Sequence, residues 1–515
     1  MASLAVIAMA DSLSKSSNSS YGQILRSSSI IGGAQAINYL VGMLRTKIVA
    51  VMLGPSGVGL VGLYVSATTL VGVFAGLGIT SSGVRQVAEA DASGDVLRTA
   101  RTVVTLRRAC WATGILGWVI TAVLSYPLSV WTFGSGERTG GVIVLGATLL
   151  LGSISGGQSA LLQGTRRIGD LARISVWSMI VGTIMAVCLY GWLGEAGIVP
   201  VLVAIAVVNL GCSWWFARRV RFVRVTLEWT ETWRNSKRLV VLGFALMWGV
   251  LLSAIVALVV RSIIVRELGL EANGIYQAAW AISGMFAGFI LGAMATDFYP
   301  RLTAVAHDDA QVNRLVNEQT EIGILLALPG LLATLSFAPW IMRAFYSAKF
   351  LPGAELLPWF VLGIFGQVLS WPMGYTLAAK GAARWHLFVE SSGNLLHLVL
   401  AISLLRWLGL WGTALALPIL YLFHVALLVW ICRRVTGFRW APASIKLMAQ
   451  SGGLIAAGFA LQRVLPVYPG LVAGLVLTTS GGMLSARGLA LRLGPEHRLV
   501  LLACKFPVGK FACGV

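Results

Sequence analysis

The sequence predicts an all-α polytopic membrane protein: twelve core transmembrane helices in two six-helix pseudo-symmetric lobes, followed by two further C-terminal helices. Three observations predict it. Of 515 residues, 57% are apolar and only 11% charged, with a mean hydropathy of +0.83, whereas a soluble domain carries about 25% charged residues. Apolar runs of about 20 residues, long enough to cross a bilayer core, recur along the whole chain. Lastly, the segment Thr46–Ala90 occurs twice. A shift of 215 residues carries Gly54, Gly59 and Leu60 onto Gly269, Gly274 and Ile275. A shift of 216 carries Gly76, Thr80, Arg85, Ala88 and Ala90 onto Gly292, Thr296, Arg301, Ala304 and Ala306. Each copy ends one apolar helix, turns at a glycine-bearing loop and runs a second helix out to an arginine, so the fold is a duplicated design.

In chain order, residues 1–26 read as a flexible cytoplasmic lead-in, rich in serine from Ser12. Ala8-Met9-Ala10 is cleavage-like but lacks a basic region before it, so no signal peptide is expected. The N-lobe, 27–216, holds spans at about 27–53, 59–84, 103–126, 140–162, 171–191 and 196–216. A basic inter-lobe loop, 217–238, follows. The C-lobe, 239–434, holds spans at about 239–268, 273–300, 320–342, 355–379, 386–405 and 411–432. The extension, 435–515, holds two weaker spans, about 447–465 and 468–486, and a cytoplasmic tail.

The net charge of +20 raises nucleic acid as a partner, and its distribution argues against one. Of the 39 Lys and Arg, thirty fall in alternate loops on one side, seven of them in Arg218–Arg238. The other side holds only Arg138, Arg266, Arg343, Lys349, Arg406 and Arg463. This bias places both termini in the cytoplasm. Six spans per repeat is even, so the lobes share one orientation about an axis along the membrane normal. The six cysteines form no C-x-x-C pair, so no metal or redox site is expected.

Charges within apolar spans are costly, about 2.5–3.5 kcal/mol each on insertion scales. Arg45 and Lys47 lie in the first span before Gly54, and Arg261 at nearly equivalent depth before Gly269. Either they snorkel to the outer surface, or they line a water-filled cationic cavity between the lobes that holds an anion such as phosphate. Arg45 and Lys47 are roughly 200° apart on a helix, so at most one points squarely inward. Arg85 with Glu89, and Asp297 with Arg301, sit at i, i+4 at the cytoplasmic ends of spans two and eight. They are either interfacial ion pairs or gates at the cavity mouth. Glu390, Asn394 and His397 share one face of span eleven. They form either an ion-coupling relay or an interfacial acid paired with Lys380 or Arg384. Gln35, Asn38, Asn209 and Gln367 read as interhelical glue, and the runs Gly72–Gly78 and Gly152–Gly157 as close helix packing. Catalytic signatures are lacking: no H-E-x-x-H, Walker loop or G-x-S-x-G is present. Ser12–Lys15 matches S-x-x-K only in the tail, and Asp308-Asp309 reads as a solvated pair. No catalytic residue, metal or cofactor is expected.

Four segments carry a resemblance: AVMLGPSGVGLVGLY (Ala50–Tyr64), FAGLGITSSGVRQVAEAD (Phe74–Asp91), FYSAKF (Phe345–Phe350) and LAAKGAARWHLFVESSGN (Leu377–Asn394). Over about residues 25–434 the chain resembles the O-antigen and enterobacterial-common-antigen flippases. These are the polysaccharide transporter branch of the superfamily that also holds multidrug/toxin extruders and the lipid II flippase. The resemblance implies a V of two lobes, alternating access and a bacterial inner-membrane location. The implied substrate is undecaprenyl-pyrophosphate-linked oligosaccharide, with membrane lipids and, as candidate partners, a polysaccharide polymerase and chain-length regulator. It also implies that Arg45 matches a cavity-lining arginine of the lipid II branch, and that Lys47, Arg261, Lys380 and Glu390 match charged family positions. Residues 435–515 lie beyond this resemblance. Their two spans are similar in number to the added helices of the lipid II branch, without a motif of their own. Two rivals are a cation-coupled drug exporter, which needs an acidic cavity, and an integral-membrane glycan polymerase or ligase, which needs a larger outer loop.

Overall fold

Helices form wherever the apolar runs predict them, because a backbone in lipid must satisfy its own polar groups. The computed structural model describes residues 20–493 apart from 221 and 224. The cleavage-like Ala8-Met9-Ala10, the S-x-x-K match, Arg498, Cys504, Lys505, Lys510 and Cys513 lie outside the described residues, among which there is no strand. The helices are α1 (Ser20–Gly76), α2 (Ile79–Ala92), α3 (Val96–Val123), α4 (Ser125–Phe133), α5 (Thr139–Gly164), α6 (Ile168–Leu193) and α7 (Ile198–Ala217). They continue as α8 (Trp229–Ala304), α9 (Asp309–Ser336), α10 (Ala338–Phe345), α11 (Leu357–Ala379), α12 (Ala383–Leu408), α13 (Leu410–Thr436), α14 (Pro442–Val464) and α15 (Val467–Leu493). Among the described residues, 11 stretches are long and apolar enough to cross a membrane, and three of these, 44, 50 and 39 residues long, are about twice the length one crossing needs.

The chain packs as two units. One holds the described residues to Leu53 with Leu63–Ala254; the other holds Gly54–Gly62 with Ile255 onward. In the first, Asn38 on α1 bonds Ser175 on α6, and the Ser178 hydroxyl donates to Asn209 Oδ1 on α7. Gly157 faces the Cys110 sulfur at close range, and Gly114 the Leu150 backbone. These are the polar glue and small-residue packing expected where water gives no apolar driving force.

The duplication is visible in the turns. Both expected glycine loops are single-residue breaks: Gly54 has φ 66, ψ −172 and Gly269 has φ 90, ψ 172. That region of backbone space is essentially closed to a residue with a Cβ. Pro55 reinforces the first break by disfavouring helix at the residue before it. The 215-residue register extends much further than Thr46–Ala90. Helices α6 and α12 are both 26 residues long and both stop at a positive-φ glycine, Gly194 (φ 56, ψ −132) and Gly409 (φ 63, ψ −149). Both start after the same bend, at Arg167 (φ −80, ψ 56) and Ala382 (φ −79, ψ 56). Helices α3 and α9, each 28 residues and offset by 213 rather than 215, are capped by Asp95, which accepts from Leu97 and Arg98 N–H, and Asp308, which accepts from Gln311 N–H. That bond holds the Asp308 carboxyl below its usual pKa.

Three expectations change. The predicted span 320–342 is α9, which starts 11 residues earlier at its Asp308 cap and ends at Ser336, where Phe337 bends ahead of Pro339. The basic loop 217–238 is helical from Trp229 onward. Asp308-Asp309 is exposed as expected but opens a helix instead of lying in a loop: Asp308 caps α9 and Asp309 pairs with Lys380.

Candidate functional site

The break at Gly269 folds α8 back on itself, and its two arms meet at polar residues eight positions either side. Arg261, 9% exposed, donates through Nε to Gln277 Oε1 at 2.7 Å and through Nη1 to the Ala257 carbonyl at 3.1 Å. Among the described residues it makes no ion pair. A buried guanidinium answered only by neutral acceptors keeps its full charge for an anion. Lipid-facing snorkelling does not describe Arg261.

Around it lies a close crossing. A Cβ on Gly59 would come 2.2 Å from the Leu270 carbonyl oxygen, and one on Gly274 would come 1.8 Å from that of Pro55. Only glycine permits such an approach. Asn273, fully buried, donates to the Gly59 carbonyl at 2.8 Å. Three residues on, Gly62 leaves room for the Gln277 side chain that holds Arg261. The counterparts Gly59 and Gly274 thus touch each other.

An aromatic layer runs from this point to His397. Tyr276 stacks on Trp280 (centroids 6.1 Å apart) and meets Phe360 edge-on; Trp280 stacks on His397 at 6.4 Å. His397 therefore faces the arm of α8 that carries Gln277, the residue that holds Arg261. One turn earlier, the Asn394 amide donates to the Glu390 backbone carbonyl, and the Glu390 carboxylate has Tyr421 on α13 as an electrostatic neighbour. Lys380 pairs with Asp309 at the start of α9 instead of with Glu390.

Arg45 and Lys47 are half-buried in the first unit, and the Arg45 head lies near Tyr190 at the end of α6. The pairs expected at the helix ends form: Arg85 Nε to Glu89 Oε1 at 2.7 Å, and Arg301 Nη1 to Asp297 Oδ2 at 3.1 Å, all four side chains more than half exposed. Sequence reading missed Gln277, Asn273 and a polar network in the second unit. In that network Arg492 on α15 meets Glu321 on α9 at 2.6 Å, and Ser444 on α14 donates to Glu321 at 2.6 Å and to Asn317 at 3.0 Å. Glu321 inside a predicted apolar span was the available signal; Arg492 fell beyond the last one. Among the described residues no group of three His, Cys, Asp or Glu could hold a metal.

An all-helical, internally duplicated chain with a buried, unneutralised cation defines the class: a polytopic membrane protein of the transporter fold. The sequence pattern of the polysaccharide biosynthesis protein family matches residues 48–355. The chain belongs to that family. It is 26% identical over 408 residues to the lipid III flippases of Escherichia coli (strain K12) and Shigella flexneri, covering 75% of this chain and 92% of each relative. Its fold is that of the lipid II flippase MurJ in an inward closed conformation (TM-score 0.66, 14% identity, 89% of this chain and 99% of that one). It is shared by an inward-facing multidrug resistance MATE family transporter of the MOP superfamily (TM-score 0.62, 17% identity, 78% and 94%).

Proposed function

We propose that this chain is a flippase that turns a lipid-linked oligosaccharide from the cytoplasmic to the outer leaflet of the bacterial inner membrane, by alternating access between two lobes. It is a transporter and performs no covalent chemistry. The observation that carries the reading is the buried Arg261, whose charge no acid among the described residues answers. In this reading Arg45, Lys47 and Arg261 line one cationic cavity and receive the pyrophosphate of an undecaprenyl carrier, while the tail stays in lipid. Arg85–Glu89 and Asp297–Arg301 act as the cytoplasmic gate. Glu390 and His397 couple an ion to the cycle. Both termini lie in the cytoplasm, and a polymerase with its chain-length regulator consumes the product outside. Family membership and similarity along most of a lipid III flippase support this assignment. A MATE-type exporter of cationic drugs shares the fold, but a buried guanidinium repels its cargo.

The test is sidedness. In cells depleted of this protein, lipid-linked glycan is expected to accumulate in the cytoplasmic leaflet, with polymerisation intact once lipid is supplied outside. An unchanged leaflet distribution overturns the reading, and a changed sugar chain made by the purified protein would replace it with a glycan enzyme.

A further inference from the structure

Five helix ends of the second unit meet at the end opposite Lys380: α9 stops at Ser336, α11 starts at Leu357, α13 starts at Leu410, α14 stops at Val464 and α15 starts at Val467. Between them is a cavity of about 470 Å³, within the roughly 300–1,000 Å³ range of small-ligand sites. Rings of Trp340, Trp411 and Phe459 line it, together with Glu355, Gln462 and Arg463.

The polar groups are held in place. The Arg463 guanidinium lies 4.4 Å from the Trp411 ring centroid and 5.4 Å from that of Phe459, with Trp359 at 5.8 Å behind. Trp359 meets Phe459 at 4.7 Å and Trp411 at 5.3 Å, so the rings brace one another. A guanidinium stacked by its face keeps its N–H edge for in-plane hydrogen bonds. The Gln462 amide nitrogen is bonded to the Leu335 carbonyl, which fixes its oxygen as an acceptor. Glu355 is an acceptor as well.

Glu355 and Arg463 are the charged lining residues, and their charges cancel. A phosphate would meet the Glu355 carboxylate, and an acyl chain would bury three polar side chains without partners. A neutral polyol with apolar C–H faces and many hydroxyls satisfies both the rings and the polar edge. We propose that this cavity binds sugar rings of a glycan. Placed at the end away from the basic loops, it holds the saccharide part of the cargo after turnover, a role that rests on the flippase reading; the affinity for saccharide itself does not.

The full chain, purified into nanodiscs, is titrated with oligosaccharide released by mild acid from the host's own lipid-linked glycan, and intrinsic tryptophan fluorescence is followed. Saturable binding is expected, weakened roughly tenfold or more by Trp411→Ala, as loss of an aromatic anchor does. Glu355→Gln should weaken it several-fold. Trp411→Phe, which keeps a ring, guards against misfolding and should bind nearly as wild type. Inorganic pyrophosphate and glycerol 1-phosphate should not compete. No binding, equal binding by wild type, Trp411→Ala and Glu355→Gln, or displacement by either phosphate overturns the proposal. Oligosaccharide binding with unchanged leaflet sidedness on depletion would leave this cavity standing and remove the flippase reading; the reverse result would do the opposite.

Discussion

Gly274→Ala tests the crossing on which Arg261 depends. The added Cβ would stand 1.8 Å from the Pro55 oxygen and 2.6 Å from its carbonyl carbon. Both are backbone atoms, so no rotamer change relieves them. Reaching ordinary contact near 3.4 Å needs a separation of about 1.6 Å, more than a packed core absorbs. That displacement breaks the 2.8 Å bond from Asn273 to Gly59. Overpacking costs about 1–3 kcal/mol, and an orphaned buried amide about 1–3 kcal/mol more. The sum, roughly 2–6 kcal/mol, lowers the melting point by roughly 4–24 °C at about 2–4 °C per kcal/mol. The assay is size-exclusion survival in detergent after heating at a fixed rate, because such proteins unfold irreversibly. Gly284→Ala and Gly292→Ala are the controls: no heavy atom lies within 4 Å of either new Cβ, and helix propensity favours Ala by up to about 1 kcal/mol. If Gly274→Ala melts within about 1 °C of wild type, or the controls lose as much, the close crossing is not what holds this region.

Other expectations follow from single contacts. Arg261→Leu removes a charge whose burial is costly, so the protein should fold, yet translocation measured by leaflet sidedness should fall roughly tenfold or more; full export by this variant would refute the cationic cavity. Arg261→Lys should not restore it, since an ammonium cannot span Gln277 and the Ala257 carbonyl as the fork does. Glu321→Gln leaves Arg492 unanswered; with that side chain 26% exposed, the loss should be about 2 kcal/mol, below the 3–5 of fully buried pairs. Arg492→Gln in the same chain should recover most of it in a double-mutant cycle on melting temperature. Arg166 sits at φ 56 where its repeat counterpart is Gly381 at φ 66. Arg166→Gly should therefore stabilise slightly, by up to about 1 kcal/mol, and raise the melting point; a clear loss would mean the side chain, not the turn, matters there.

Much of the architecture was legible because bilayer thickness fixes span length and only apolar residues fill it. The duplicated glycines were legible for a second reason: a break at positive φ with ψ near 180° is essentially closed to a residue with a Cβ, so the two copies could not drift apart at Gly54 and Gly269. What could not be read was how charges near helix ends resolve. Arg492 looks like a loop residue when a span is closed at its first charge, yet α15 runs to Leu493 and turns that arginine onto Glu321. Lys380 has Arg384 and Glu390 as near neighbours in sequence and pairs instead with Asp309, 71 positions away. The start of α9 depended on a cap, Asp308, in a polar stretch without apolar rhythm.

The repeats differ at two positions where the site is built, and the differences compensate one another. Gln277 corresponds to Gly62 in the 215-residue register, and Arg261 to Thr46. A Cβ at Gly62 would lie 3.1 Å from Gln277 Cδ, so side chains at both counterparts would compete for one space. Keeping the glutamine in one copy requires its absence in the other, and the arginine follows the copy that retains its acceptor. A strictly symmetric chain, with Gln at 62 as well, would have to separate the arms whose contact through Gly59 and Gly274 seats Arg261. Asymmetry at this one position is therefore a steric consequence of two like segments packing against each other, and it assigns the buried cation to α8 without invoking any further difference between the copies.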